Sequence, residues 1–153
     1  MRVALGSDHA GYMLKEEVSR FLAGNRIDFK DFGAFTSASV DYPDIGIEVA
    51  EAVANGEFDR GILICGIGTG MSMVANKVPG IRAALCNDTY TARITREHND
   101  SNVLVLGARV IDAPTALQIT EVWLSTDFSG EERHARRIRK ISEIEDKHSG
   151  GGR

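Results

Sequence analysis

The run "GILICGIGTGMSMVANK", Gly61 to Lys77, sets a thiol, Cys65, behind an apolar stretch and ahead of three glycines at alternate positions, Gly66, Gly68 and Gly70. Glycines so spaced let the backbone turn sharply and aim several N–H groups at one point, and a helix starting behind them adds its positive end. The chemistry on offer is an anion hole. A cysteine at its mouth stands where a thiolate is favoured, so Cys65 has the means to act as base or nucleophile. The plainer reading makes it a small apolar residue closing a buried strand. The spacing G-x-G-x-G is neither the dinucleotide fingerprint nor the phosphate loop. Cys86 has no glycine turn after it and reads as structural.

Other residues offer acid–base and anion chemistry. Asp8 and His9, in "GSDHAG", follow the first apolar run and open toward the carboxyl ends of the strands, where open α/β sheets bind ligands. His98, in "TREHNDSN", ends a helix that precedes the last strand, so it lies at the opposite edge of its own sheet. It is either a cap that complements the helix dipole or a residue delivered to a second subunit's cleft. Arg133 and Arg137, four apart in "ERHARRIRK", share a helical face, with His134 three residues before Arg137. Their planar guanidinium groups suit phosphate oxygens; the alternative is a solvated charged face.

The elements that must position these residues follow from alternation of short apolar runs with helical patterns, which marks a parallel sheet covered on both faces. Strands are predicted over Arg2–Ser7, Ile27–Phe32, Gly61–Cys65, Arg82–Cys86 and Val103–Gly107. Helices are predicted over Gly11–Gly24, Asp44–Asn55, Gly70–Asn76, Asp88–Glu97 and Pro114–Ser125, with Asp88 and Asp112 as N-caps. A last helix, Glu131–Lys147, carries Ala135, Ile138, Ile141 and Ile144 as a narrow apolar stripe, too thin for its own core, so a partner subunit is expected to receive it. Residues 1–147 read as one domain and 148–153, "HSGGGR", as a flexible tail.

At 153 residues and 42% hydrophobic content, a single core is within reach without staples. The net charge of −4 supplies no field to gather nucleic acid or an anionic membrane, so any anion site is local. Two cysteines without ligand spacing argue against a disulfide framework or structural zinc. With no signal-like or membrane-length apolar run, a cytoplasmic location is expected.

In this order, "GSDHAGYMLKEEV", "VDYPDIGIEVAEAV", "ICGIGTGMSMVANKVPGIRAALC", "REHNDSNVLVLGARVI" and "RHARRIRKISEIE" resemble the type B ribose-5-phosphate isomerases and the related galactose-6-phosphate isomerase subunits. The resemblance implies an α/β fold, a three-layer Rossmann-like sandwich with a five-stranded parallel sheet, in homodimers or homotetramers with shared active sites. It implies that Cys65 moves a proton between C2 and C1 of an open-chain sugar phosphate, with no metal or cofactor. Asp8 and His98 match residues that open the furanose ring. Gly66, Ile67, Gly68, Gly70 and Met71 match the turn that holds the enediolate oxygens, and Tyr42 and Asn99 line the sugar. His9, Arg109, Arg133 and Arg137 match the phosphate site, with His134 nearby.

Two departures from the family's pattern stand out. Ile67 occupies a place that commonly carries a hydroxyl, which leaves Thr69 or Ser72 to supply one, and Glu131-Glu132 precede Arg133 where the family has a glycine. Ribose 5-phosphate is the expected substrate. Allose 6-phosphate, galactose 6-phosphate, a tetrose phosphate, or a non-catalytic sugar-phosphate sensor are the other readings.

Overall fold

The computed structural model describes residues 1–149. From the amino end run β1 (Arg2–Ser7), α1 (Tyr12–Gly24), β2 (Asp28–Asp31), α2 (Tyr42–Ala54), β3 (Arg60–Cys65) and α3 (Thr69–Ala75). Then come β4 (Ala83–Leu85), α4 (Thr89–Asn99), β5 (Val103–Gly107), α5 (Ala113–Ser125) and α6 (Glu132–Ser149). All pairings are parallel, in the order β2-β1-β3-β5-β4, so β3 is central. The expected five-stranded α/β architecture is the one observed. No helix among the described residues is long and apolar enough to cross a membrane.

Because successive side chains of a strand point to opposite faces, each inner strand feeds two cores. Val3, Leu5, Ile62, Ile64, Leu104 and Leu106 pack with α1, α4 and α5, where Trp123 is fully buried. Ala4, Leu63, Cys65, Val103 and Val105 pack with α2 and α3. The two cysteines fall on opposite faces, Cys65 in the second core and Cys86 in the first, and both are free. Burial pushes the Cys86 thiol up to about 12, with the Asp88 carboxylate adding to the shift.

Most boundaries shift by one or two residues from the sequence reading, and three of the shifts bear on the site. The fourth strand shrinks to Ala83–Leu85; at its start the Arg82 amide donates to the Asn102 side chain at 2.8 Å, and the Arg82 guanidinium donates to the carbonyls of Asn99 and Asp100. Its outer edge is closed by Asn76, whose amide both donates to and accepts from the Ala83 backbone, which blunts an edge that could template another strand. Helix α4 runs two residues beyond Glu97, carrying His98 and Asn99 in its last turn, and stops where Asp100 adopts a left-handed conformation, φ 46°. Helix α6 continues through His148 and Ser149, both expected in the flexible tail; the rest of that expected tail, residues 150–153, lies outside the described residues. Asp88 and Asp112 cap α4 and α5 as predicted, accepting from the Thr91 and Thr115 amides.

Helix α6 rests its first turns on α4 of its own chain, and its Glu145 carboxylate accepts from the Gly80 amide at 3.0 Å. Ile141 and Ile144 stay exposed.

Candidate functional site

The parallel pairing fixes which side chains share an end of the sheet. Ser7 pairs with Ile64 and Cys65 with Gly107, so Asp8, the Cys65 turn and Arg109 all emerge at the carboxyl ends of three adjacent strands. Asp8 is buried; its amide donates to the Ile64 carbonyl at 3.2 Å, and its carboxylate accepts from the Gly11 amide at 3.0 Å.

At the turn itself, Gly68 has φ +83°, a left-handed backbone that favours glycine. That conformation swings the Gly68 N–H back onto Cys65 Sγ at 3.2 Å. The sulfur is thus held by an amide donor at the start of α3, where aligned N–H groups favour negative charge. Thr69 begins the helix, and Ile67 projects into solvent with 57% of its surface exposed.

Around this turn the neighbours close in. A Cβ on Gly70 would lie 2.7 Å from the Tyr42 ring, so only glycine lets the tyrosine lie flat against the helix start. A Cβ on Gly66 would meet Arg109 Nη1 at 3.2 Å, which puts that guanidinium over the turn. The Arg109 amide donates to the Gly66 carbonyl, fixing the approach. His9 is held from the other side, its Nδ1 accepting from the Val40 amide at 3.2 Å. One chain therefore assembles Asp8, His9, Tyr42, Cys65, the glycine turn and Arg109.

Met71 follows the turn inside α3. Its side chain is fully buried, its sulfur facing Gly46 of α2, so it packs the core and leaves only backbone to the turn. The reason is helical phase: Met71 and Ala75, four apart, form the inward face of α3.

The remaining predicted residues gather at the other end of the sheet. The last turn of α4 is pinned by Arg96, which donates to the Asp100 carboxylate at 2.8 Å, the Ser101 carbonyl at 2.6 Å and the Thr126 carbonyl at 3.1 Å. Arg60 donates to the Trp123 and Leu124 carbonyls at the end of α5, the position where a cation suits a helix dipole. Burial lowers the Arg60 pKa to about 10, with Arg96 adding to the shift. On this clamp sit His98, half-buried, and Asn99, exposed. Arg133 is exposed and paired with Glu131 at 2.7 Å, while Arg137 is exposed with no ion pair among the described residues. Glu131 has its carboxyl held below the usual range chiefly by Arg133.

His134 faces inward in its own chain. It is 1% exposed, its ring against His98, so its own chain leaves it no open face for a phosphate. Sequence reading also missed Lys15, fully buried and paired with Asp31, whose other oxygen accepts from the Gly33 amide at the root of the loop before α2. Its signal was available: Lys15 falls on the inward stripe of α1 with Leu14, Val18 and Leu22.

Residues 3–141 match the family described as Ribose/Galactose Isomerase. The chain belongs to that family. It is 44% identical over 144 residues to ribose-5-phosphate isomerase B of Escherichia coli, covering 94% of this chain and 96% of the relative. The Clostridium thermocellum ribose-5-phosphate isomerase B structure superposes with a TM-score of 0.95 at 55% identity, covering 97% of this chain and 99% of that one. A Mycoplasma genitalium ribose-5-phosphate isomerase B, solved with bound ribulose-5-phosphate, gives a TM-score of 0.90 at 39% identity, with 95% and 97% covered. The isomerase fold and its element order thus extend over nearly the whole chain.

Proposed function

We propose that this chain interconverts ribose 5-phosphate and ribulose 5-phosphate, an aldose–ketose isomerisation through an enediolate. Family membership and the names of its relatives support the reaction class and the pentose; the single observation that carries the mechanism is the Gly68 N–H on Cys65 Sγ at 3.2 Å, beside buried Asp8.

In this reading Asp8 and His98 open the furanose. Cys65 takes the proton from C2, and the electrons of that C–H bond form the C1=C2 double bond while the aldehyde oxygen becomes an oxyanion. Amides of the turn, Gly66 to Gly70, hold that charge; one preorganised donor of this kind is worth on the order of 3 kcal/mol. Returning the proton to C1, as the O2 proton moves to O1, leaves the ketose. General acid–base help of this type contributes roughly 10²–10⁴-fold. Thr69 supplies the turn's hydroxyl in place of Ile67, Tyr42 and Asn99 line the sugar, and His9, Arg109, Arg133 and Arg137 hold the phosphate.

His98, Asn99, Arg133 and Arg137 stand at the opposite end of the sheet from Cys65, so the site is composite: a second subunit brings them, in a homodimer or a pair of dimers. Two free thiols suit a reducing cytoplasm.

The test is turnover of purified protein on four-, five- and six-carbon aldose phosphates, with Cys65→Ala alongside. Ribose 5-phosphate should rank first and the variant should still bind it while failing to isomerise it. A variant as active as the parent would remove the cysteine base.

A further inference from the structure

His134 is a titratable side chain sealed inside its own chain, 1% exposed, and the reaction as described gives it no task. Its ring centroid lies 4.0 Å from that of His98, with the planes tilted by 44°. On its far side, Nδ1 is 3.1 Å from Ser129 Oγ. The Ser129 amide in turn donates to the Glu97 carbonyl at 3.1 Å, one residue before His98. Helix α4, Ser129 and His134 therefore form a closed circuit that returns to the His98 ring. Glu131 lies beside it, its carbonyl accepting from the His134 amide at 2.9 Å, and Arg133 holds the Glu131 carboxylate.

An imidazole that exchanges a proton with a ring oxygen must be held in one plane, since small misplacements cost large factors in rate. His98, at a helix end and only half-buried, has the His134 ring packed against its own. We infer that His134 is a positioning residue: anchored by Ser129, it backs the His98 ring and fixes the plane in which His98 serves ring opening. This rests on the proposed role of His98.

Two rates separate ring opening from proton transfer. Turnover of ribose 5-phosphate needs the furanose opened. Deuterium uptake at C1 of ribulose 5-phosphate in D2O does not, because its C5 oxygen carries the phosphate and the ketose stays open-chain; NMR reads it directly. His134→Ala should lower ribose 5-phosphate turnover by about 10- to 100-fold and leave exchange within about 2-fold. His98→Asn should give the same split and Cys65→Ala should abolish both rates. If His98→Asn splits the rates and His134→Ala lowers both equally, or neither, the positioning role is overturned alone. If His98→Asn gives no split, the role of His98 falls and this one with it. Should His134→Ala fail to fold, Ser129→Ala decides: the same split at smaller size supports the inference, and equal or no losses overturn it.

Discussion

At the carboxyl ends of β1, β3 and β5 the chain works mainly with backbone: glycine-turn amides, one of them on Cys65 Sγ, under a tyrosine ring and an arginine fork. At the amino ends of β4 and β5 it works with side chains, His98 and its neighbours, held by a clamp of arginines on carbonyls and on Asp100. The difference is one of rigidity. Amides in a turn are preorganised by the covalent chain, whereas imidazoles at a helix end need other side chains to fix them. On the proposed reading the first half forms within one protomer, and the second serves the site of another.

The contrast between the two ends is broken most directly through the two thiols. Cys65→Ala should cut isomerisation by at least about 10²-fold while costing only about 1 kcal/mol of stability, as truncation of a buried cysteine does. Cys86→Ala, in the opposite core, should keep activity and lose about 1 kcal/mol of stability, read by denaturant unfolding. A comparable loss of activity in both would erase the distinction.

Mixing inactive subunits sharpens the division of labour. If each site takes Cys65 from one protomer and His98 from the other, equal amounts of Cys65→Ala and His98→Asn subunits, unfolded and refolded together, should recover about a quarter of parent activity. Half the dimers are then mixed, and each mixed dimer has one intact site of two. No recovery from refolded, dimeric protein would place both residues in the same half.

A smaller effect is expected at Gly70. Alanine there meets the Tyr42 ring at 2.7 Å and must displace it, so kcat/KM should fall about tenfold while the melting temperature moves little. Unchanged kinetics would free Tyr42 from the site.

The smallest effect concerns the cap of α4. Hydrogen bonds from Thr91 hold the Asp88 carboxyl below its usual range. A depressed native pKa gives stability that is complete above the unfolded carboxylate value, near about 4, and is lost as pH falls through the native value. The melting-temperature advantage of the parent over Asp88→Asn should therefore vanish in acid, and an advantage independent of pH would show that the charge contributes nothing.

Much of this was legible in residue order, for local reasons. Gly68 announces a turn because φ > 0 is a property of single residues, and Asp88 and Asp112 announce helix starts through bonds three residues long. The position of His98 at the far edge followed from parallel strands alone. Illegible were contacts between elements distant in sequence. The resemblance sets Met71 at the turn, and packing against Gly46 turns its side chain inward. In sequence His134 stands with the arginines beside it, while in the fold its ring meets Ser129 and His98.

Sequence by itself determined the alternation of elements, the glycine turn behind Cys65 and the kinds of group available, because periodicity, backbone freedom and side-chain chemistry are carried by short stretches. Tertiary structure alone decided that Gly68 donates to Cys65 Sγ, that Tyr42 lies on Gly70 and that His134 backs His98. Those contacts join elements through the order β2-β1-β3-β5-β4, and angles and distances across a sheet exist only once the whole chain has closed around its two cores.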